Sequence, residues 1–288
     1  MANILITGSK GQLGIALQNI ADNYPDYNCF FTDKSELDIT KHDRVSDFVT
    51  TNNIKVILNC AAYTNVDKAE DEEVLAAEIN YLAVENLALI SKEHKIKLVH
   101  ISTDYVFDGA SEKPYLETAT TNPTNKYGLT KLKGEKALQK INPENAVIIR
   151  TSWLYSLYGT NFVKTMLRLF QNNKIVKVVS DQIGSPTNAT DLAKMLFTII
   201  PNMHNKDVEI YHYSNTGRCS WFEFAQEIAK ISESECSVIP ILSEDFNSKV
   251  KRPKYSLLNT EKIQQTFNIE ILSWKDSLKQ CLIKQNKL

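Results

Sequence analysis

Residues 3–14 read Asn-Ile-Leu-Ile-Thr-Gly-Ser-Lys-Gly-Gln-Leu-Gly, a short apolar run that leads into three spaced glycines. The run predicts a β-strand, and the pattern that follows predicts a helix through about residue 22. In such a turn Gly8 permits the bend, Gly11 lets the backbone approach a pyrophosphate, and Gly14 permits close packing of helix on strand. The free N–H groups of the helix would face the phosphates. A plain loop is the alternative, but the place of this turn, first in the chain, favours a dinucleotide site.

A second β run, residues 28–32, ends at Asp33. An acid about 20 residues past a glycine turn usually binds the ribose 2′-hydroxyl of adenosine, which favours NAD over NADP. Lys34 follows immediately and Lys10 lies in the glycine turn, so a 2′-phosphate can also be accepted. The choice between NADH and NADPH therefore stays open.

Residues 38–40, Asp-Ile-Thr, are expected to open a polar helix. Asp38 and Ile39 there could flank an adenine ring. The alternative is that Asp38 or Thr40 is only the N-cap of that helix.

Small residues follow the buried strand predicted at residues 56–58. At the carboxyl end of a strand in a doubly wound sheet they leave room for a flat ligand. Residues 67–92 are expected to be helical, and Asn80 lies there in an apolar setting. It either binds a neighbouring loop or orients a catalytic lysine. The candidate ligand-lining residues after the strand are Ala61, Ala62, Tyr63 and Thr64.

A hydroxyl, a phenol and an ammonium are expected to meet at the same edge. The strand at residues 97–102 delivers Thr103, and Tyr127 and Lys131 lie four residues apart on a predicted helix, hence on one face. A lysine beside a phenol lowers the pKa of the phenol, which makes it a better proton donor near neutral pH. Thr103 could give a second hydrogen bond to the same oxygen. Such a set handles carbonyl groups if a hydride donor lies beside it.

Strands and helices alternate as far as residue 152, which is typical of parallel βαβ units and a Rossmann-like, doubly wound α/β sheet. We expect residues 1–152 to form the dinucleotide-binding domain. Residues 153–288 should form mainly a smaller substrate-binding domain, with segments near 187–215 returning to the sheet. Within that half, Ser220 is a plausible N-cap paired with Glu223.

Composition excludes several classes of function. The 288 residues carry a net charge of −1, so there is no bulk attraction to nucleic acid or to an anionic membrane. No apolar run approaches the length that spans a bilayer. Five cysteines without a CxxC pair indicate thiols in a reducing cytoplasm, and five histidines without ligand spacing argue against zinc.

With these motifs in place, the chain resembles the extended short-chain dehydrogenase/reductases. Five further segments narrow the resemblance to the dTDP-4-dehydrorhamnose reductase family, and they span essentially the whole chain. They are STDYVF at 102–107, RTSW at 150–153, KTMLRL at 164–169, DQIGSPT at 181–187, and residues 252–265.

The resemblance implies reduction of the C4 ketone of a dTDP-4-dehydro-6-deoxy sugar by NADPH or NADH. Tyr127 would protonate the carbonyl oxygen, Lys131 would bind the nicotinamide ribose and tune Tyr127, and Thr103 would polarise the carbonyl. The sugar nucleotide would be bound by Thr103, Asp104, Tyr105 and Trp153. The cofactor would be lined by Gly8, Gly11, Gln12, Leu13, Gly14, Asp33, Asp38, Ile39, Ala61, Ala62, Tyr63, Thr64, Tyr127 and Lys131.

Some members of that family form a magnesium-bridged dimer through glutamates, one of them just after the glycine turn, where this chain has Ala16. We therefore predict no metal requirement, and a monomer or homodimer.

Two rival functions remain open from the sequence. One is a nucleotide-sugar dehydratase or epimerase on the same scaffold. Dehydratases carry an acid pair directly after the threonine, whereas Thr103 is followed by Asp104 and Tyr105, which favours simple reduction. The other is a non-catalytic regulatory subunit, which would not need the Thr103, Tyr127 and Lys131 set.

Overall fold

Buried apolar runs build the central sheet. The computed structural model describes residues 1–246 and 250–285. The strands are β1 (Ala2–Thr7), β2 (Tyr27–Thr32), β3 (Ile54–Asn59), β4 (Lys97–Thr103), β5 (Ala146–Thr151), β6 (Leu154–Tyr155), β7 (Ile175–Val179), β8 (Ile183–Gly184), β9 (Thr187–Asn188), β10 (Glu209–Tyr213), β11 (Cys219–Ser220) and β12 (Ser237–Ile241).

Ten α-helices occur in the described residues. They are α1 (Gln12–Ile20), α2 (His42–Thr51), α3 (Glu73–Ala77), α4 (Ala83–His94), α5 (Lys126–Ile141), α6 (Phe162–Asn172), α7 (Ala189–Ile199), α8 (Trp221–Ile231), α9 (Glu261–Phe267) and α10 (Trp274–Gln285).

Six strands form one parallel sheet in the order β10-β5-β4-β3-β1-β2. Strand β2 lies on one side of β1 and strand β3 lies on the other, so the strand order reverses at β1. In open α/β sheets ligands bind where the strand order reverses, outside the carboxyl ends of the strands. The register places Thr7 beside both Thr32 and Asn59, and Thr103 beside Thr151, so these residues share that edge.

Helices cover both faces of the sheet, which accounts for its nearly continuous apolar strands. On one face α1 and α7 pack together over a core that includes Leu17, Leu196 and Phe197. On the other face α2, α4 and α5 pack over Val45, Leu87 and other buried residues. Helices on both faces therefore support the carboxyl edge of the sheet.

A third cluster of buried apolar residues lies between the short strand pair β7–β12 and the helices α6, α8 and α10. We call these elements the C-terminal lobe. Helix α8 begins as predicted: Ser220 Oγ accepts from Glu223 N at 3.1 Å, and Glu223 Oε2 accepts from Ser220 N at 2.7 Å. Strand β10 and helix α9 lie outside the lobe, on the large sheet and its core.

The expected helix start at residues 38–40 is wrong. Helix α2 begins at His42 with Lys41 as its N-cap. Asp38 instead closes a local turn, because its Oδ1 accepts from Thr40 N at 3.0 Å and from Thr40 Oγ1 at 2.8 Å. Such side-chain turns compete with helix initiation.

A π-helical turn, Glu78–Leu82, joins α3 to α4. It contains Asn80, whose Oδ1 accepts from Tyr63 N at 2.9 Å while its Nδ2 donates to Tyr63 O at 3.0 Å. Nδ2 also donates to Thr130 Oγ1 at 3.2 Å. Of the two roles left open for Asn80, the structure therefore shows the one that binds a neighbouring loop.

The expectation that no apolar run approaches the length that spans a bilayer is wrong, because the helical run Glu73–His94 is long and apolar enough by composition alone. In the structure Val84, Leu87 and Ile90 on this run are buried against the sheet. This packing accounts for part of its apolar character, since core helices share that composition, whereas Val74, Leu82 and Leu89 on the same run are exposed.

Candidate active site

A cleft of about 1420 Å³ opens at the carboxyl edge of the sheet and extends toward the C-terminal lobe. We call its deep part the inner end, lined by Thr103, Asp104, Tyr127 and Lys131. We call the part beyond the glycine turn the outer end, lined by Lys10, Asp33, Lys34, Asp38 and Lys41.

The glycine turn has the shape that its spacing predicts. Gly8 has φ +67°, a conformation that glycine adopts without strain. A Cβ on Gly14 would lie 2.4 Å from the Gly8 carbonyl oxygen, so the packing of α1 on the turn requires glycine. Gly11 is the N-cap of α1, and no side chain among the described residues caps it. Free N–H groups behind a tight turn fit a pyrophosphate.

Local hydrogen bonds fix the start of α5, which carries the phenol. The N-cap Asn125 accepts from Gly128 N at 2.8 Å. Lys126 N donates to Glu70 Oε1 at 2.8 Å, and its ammonium lies 2.8 Å from Glu73 Oε2. These contacts set the position of Tyr127 relative to the segment that follows β3.

The prediction that Lys131 lowers the pKa of Tyr127 is wrong. Burial raises the pKa of the Tyr127 phenol to about 12, and the Thr103 hydroxyl offsets only part of that rise. The desolvation of a phenolate outweighs nearby favourable groups. The phenol is therefore fully protonated at neutral pH.

Lys131 is 1% exposed, and burial lowers its pKa to about 8. Its Nζ donates to the Ile101 carbonyl at 2.6 Å and lies 3.4 Å from His100 Nε2. His100 Nδ1 lies 3.0 Å from Asn59 Nδ2, and Thr7 Oγ1 donates to Asn59 Oδ1 at 2.7 Å. A buried polar chain thus connects the ammonium to β1, β3 and β4.

Asp104 follows β4 and is 2% exposed. Burial raises the pKa of its carboxyl to about 6, although the Ser256 and Thr103 hydroxyls lower it in part. Thr103 Oγ1 donates to Asp104 Oδ1 at 3.1 Å and accepts from Tyr105 N at 3.2 Å. The ring of Tyr105 meets that of Tyr127 edge-on at 5.5 Å.

Aromatic rings form the wall of the cleft toward the lobe. Trp153 has φ +49°, which is uncommon for a bulky residue and indicates local strain. Its ring stacks on Trp221 at 3.6 Å and 11°. Phe162 lies 4.5 Å from Trp221. This wall offers flat apolar surface to a ligand.

A buried ion pair supports the inner end, and the sequence reasoning missed it. Arg150 Nη2 lies 2.7 Å from Glu135 Oε2, and Arg150 Nε donates to Glu135 Oε1 at 2.9 Å. Ser102 Oγ donates to Glu135 Oε1 at 2.5 Å. One signal was present in the sequence, because Glu135 follows Lys131 by four residues on the same helix face.

The outer end is open and charged. The Lys10 ammonium pairs with Asp33 Oδ2, and Ser35 donates to Asp33 Oδ1 from its N at 2.9 Å and its Oγ at 2.7 Å. Lys10 and Ser35 hold the pKa of the Asp33 carboxyl well below its usual range, and Asp33 raises the pKa of Lys10.

The structure brings the predicted site residues to this cleft with one exception. The Tyr63 side chain lies outside the cleft lining, and its hydroxyl donates to Glu72 Oε2 at 2.7 Å. Gln12 lines the cleft, but its Oε1 also accepts from Asn161 Nδ2 at 2.9 Å. Arg252, which lines the cleft from the C-terminal part, pairs with Asp67 at 3.3 Å.

The parallel sheet, the glycine turn and the buried phenol and ammonium define a dinucleotide-dependent oxidoreductase of the short-chain dehydrogenase/reductase type. The model of the RmlD substrate binding domain family matches residues 1–286. The chain belongs to this family.

Curated relatives cover nearly the whole chain. The dTDP-4-dehydrorhamnose reductase of Aggregatibacter actinomycetemcomitans is 40% identical over 97% of this chain and 98% of its own. The enzyme of the same name from Escherichia coli (strain K12) is 37% identical over 97% of both. The crystal structure of dTDP-4-dehydrorhamnose reductase from Bacillus anthracis str. Ames in complex with NADP is 40% identical, with a TM-score of 0.93 over 99% of this chain and 100% of that chain.

These comparisons confirm the family resemblance, the Rossmann-like fold and the prediction of an NAD(P)H-dependent reductase. Dehydratases that share the fold are only about 15–16% identical, so they show the architecture alone.

Proposed function

We propose that this chain reduces the C4 ketone of dTDP-4-dehydro-6-deoxy-L-mannose to dTDP-L-rhamnose, with hydride supplied by bound NADPH or NADH. One observation carries the proposal: Thr103, Tyr127 and Lys131 line the same cleft as the glycine turn. The names of the relatives supply the substrate.

Tyr127 is the proton donor. Its pKa of about 12 keeps the phenol protonated at neutral pH, so each enzyme molecule begins the reaction with the proton in place. Once the proton leaves, a phenolate forms in a buried site. Lys131, one turn further along α5, has a pKa of about 8 and is mainly protonated at pH 7, so its ammonium offsets that charge.

Thr103 donates a hydrogen bond to the ketone oxygen as negative charge develops there. This requires its hydroxyl to turn away from Asp104 Oδ1, to which it donates in this structure. Asp104, Tyr105 and Trp153 contact the sugar nucleotide, and the Trp153 ring supplies an apolar surface.

The cofactor lies along the sheet edge, with its pyrophosphate on the glycine turn and its nicotinamide ribose at Lys131. The free N–H groups of the glycine turn and the ammonium of Lys131 both suit an anionic dinucleotide. The residues that hold it are Gly8, Gly11, Gln12, Leu13, Gly14, Asp33, Asp38, Ile39, Ala61, Ala62, Thr64, Tyr127 and Lys131. Tyr63 is left out of this set, because it lies outside the cleft lining and its backbone N and O bind Asn80.

Residues 1–152 serve as the dinucleotide-binding domain, and residues 153–288 mainly bind substrate. The separate cores of the large sheet and of the C-terminal lobe support this division, and Ile263 and Ile271 from the second part of the chain also pack in the sheet core. Residues 187–215 return to the first domain, because β10 pairs with β5 of the large sheet.

The enzyme works in the cytoplasm as a monomer or homodimer, without nucleic acid, membrane or metal. The thiols of Cys29, Cys60, Cys219 and Cys236 support a reducing compartment. Light scattering coupled to size-exclusion chromatography, with and without a chelator, tests the assembly and any role of magnesium.

The decisive experiment follows cofactor oxidation at 340 nm with the dTDP-4-keto sugar and either cofactor. Tyr127→Phe should lower kcat by roughly 10²–10⁴-fold, because the proton donor is lost, and should leave cofactor affinity nearly intact. Tyr24→Phe is the matched control, since Tyr24 stacks on Phe197 in the core on one face of the sheet.

Near-normal turnover of Tyr127→Phe would reject the role of the phenol. Wild-type protein that binds cofactor but leaves it unoxidised with this sugar would reject the substrate. Stoichiometric NAD retained through purification, with no net oxidation, would support an epimerase instead.

A further inference from the structure

A buried histidine on β4 lies beside the Lys131 ammonium but outside the cleft lining. His100 is fully buried, and its Nε2 lies 3.4 Å from Lys131 Nζ. Burial and the neighbouring ammonium lower the pKa of the imidazole well below its ordinary value. The ring is therefore neutral at pH 7, and one of its two nitrogens can accept a hydrogen bond.

The N–H donors of Lys131 show what an acceptor at this place does. An ammonium has three donors. The Ile101 carbonyl accepts one of them at 2.6 Å, and His100 Nε2 is in position to accept a second. These two are the hydrogen-bond partners of Nζ in the described part of the chain. The third donor is then left for the cleft, which Lys131 and Tyr127 both line.

Two other polar side chains near α5 are already engaged elsewhere. The Glu135 carboxylate raises the pKa of Lys131, but it binds Arg150 and Ser102 with its oxygens. The Asn80 amide binds the backbone of Tyr63 on both sides. His100 is therefore the side chain that directly contacts the ammonium.

Asn59 contacts the other nitrogen of the ring. Its Nδ2 lies 3.0 Å from His100 Nδ1, and Thr7 Oγ1 donates to its Oδ1 at 2.7 Å. Nε2 accepts from an ammonium only when the ring proton is on Nδ1. A half-turn of the Asn59 amide presents Oδ1 to that proton and Nδ2 to the Thr7 hydroxyl, so the same three side chains satisfy this tautomer. The ring is held at both of its nitrogens.

We propose that His100 is a positioning residue for Lys131: its Nε2 accepts from the ammonium and holds the third N–H toward the nicotinamide ribose and the Tyr127 phenol. Asn59 fixes the ring and its tautomer. This inference rests on the proposed function for the role of Lys131.

Two substitutions separate the two nitrogens of the ring. The side chain of glutamine reaches the place of Nε2, whereas that of asparagine, a methylene shorter, reaches only the place of Nδ1. His100→Gln therefore keeps an acceptor for Lys131, and His100→Asn keeps only the contact with Asn59. Because a hydrogen bond to a charged group is lost, His100→Asn should weaken NADPH binding and lower kcat, each by roughly tenfold. His100→Gln should stay within about threefold of the wild type in both.

Fluorescence titration of the full-length protein with NADPH, without sugar, and steady-state cofactor oxidation measure the two effects. His212 supplies the matched control, since it is a fully buried histidine on β10, outside the cleft lining. His212→Gln and His212→Asn share the general cost of a buried amide, and they should not differ from each other in NADPH affinity.

Nitrogen NMR of wild-type protein with isotope-labelled histidine gives an independent readout that needs no stable variant at this position. The His100 signal should show the ring proton on Nδ1 at pH 7. A proton on Nε2 would overturn the proposal, because that nitrogen could not accept from the ammonium.

Equal losses in His100→Gln and His100→Asn would also overturn it, because a purely structural role does not distinguish the two nitrogens. So would wild-type NADPH affinity in His100→Asn. If the wild type leaves the cofactor unoxidised with the dTDP-4-keto sugar, the proposed substrate is wrong, while the titrations and the NMR signal still decide the role of His100.

Discussion

The two ends of the cleft hold the same kinds of charged side chain in opposite surroundings. Lys131 at the inner end is 1% exposed and its pKa is lowered by burial, whereas the Lys10 side chain at the outer end is 69% exposed and its pKa is raised by Asp33. The acids follow the same division: burial raises the pKa of Asp104, and Lys10 lowers that of Asp33. Desolvation determines the pKa shifts at the inner end, and ion pairing determines those at the outer end.

This difference separates two tasks. Buried charges are costly, so a protein retains them where a proton or a hydride must be handled. Exposed pairs exchange partners at little cost, which suits the recognition of alternative cofactors. Substitutions at the inner end should therefore have larger effects than substitutions at the outer end.

The largest effect on folding should come from the ion pair beneath the inner end. Arg150→Met leaves Glu135 buried with an unpaired charge, which should lower the free energy of unfolding by about 3–5 kcal/mol. Urea denaturation at pH 7 measures this. Lys10→Met, which breaks the pair at the outer end, should leave the midpoint unchanged. If Arg150→Met lowers the free energy of unfolding by less than about 1 kcal/mol, the two ends do not differ in their contribution to stability.

The second prediction concerns the pH dependence of stability. Lys131 has a pKa of about 8 in the folded protein and an ordinary value near 10.5 when unfolded. Between these values the unfolded chain binds more protons, so stability rises with pH. The gain should be about 3 kcal/mol and should be absent from Lys131→Met. Urea denaturation of the wild type and of Lys131→Met at pH 7.5 and 10.5 measures this gain in the free energy of unfolding. If stability changes equally with pH in both proteins, Lys131 is not a buried ammonium with a lowered pKa.

The third prediction concerns catalysis by the same residue. Lys131→Met should lower kcat/KM by roughly hundredfold and weaken cofactor binding as well, because one ammonium supports both the ribose and the phenolate. Steady-state rates and cofactor titration test this together. An unchanged titration would mean that the proposed contact with the ribose is wrong.

The smallest effect should come from the outer end. Asp33→Ala should weaken NADH more than NADPH, by about tenfold in the ratio of dissociation constants, because it removes an acceptor for the ribose hydroxyls and releases Lys10. Titration with both cofactors measures the ratio. Equal losses would exclude Asp33 from the ribose site.

The sequence predicts the fold, but it does not reveal most of this contrast between the two ends of the cleft. Strand β4 and helix α5 follow directly from local apolar patterns, and so does the capping box at Ser220 and Glu223. Such features depend on neighbours within a few residues.

The missed features depend on the surroundings of each residue in space. The pKa of Tyr127 rises because of burial, which the spacing to Lys131 does not reveal. The pair between Glu135 and Arg150 joins a helix to a strand. The prediction of a helix at Asp38 is wrong, because its turn with Thr40 competes with an N-cap of similar sequence.

In the π-helical turn at Glu78–Leu82, the number of residues matters as much as their identity, because it sets the direction in which Asn80 points. Asn80 contacts Tyr63 N and O in the way that an adjacent strand would, and so anchors the segment after β3. A π turn holds one residue more than the α turn that covers the same rotation, so deleting one residue here would restore regular α geometry and leave the flanking helices nearly in register. A deletion at Tyr81 or Leu82 would keep Asn80 and every cleft-lining residue, yet it would move the Asn80 amide away from Tyr63, and the segment after β3 would lose its anchor although no residue that faces a ligand is lost.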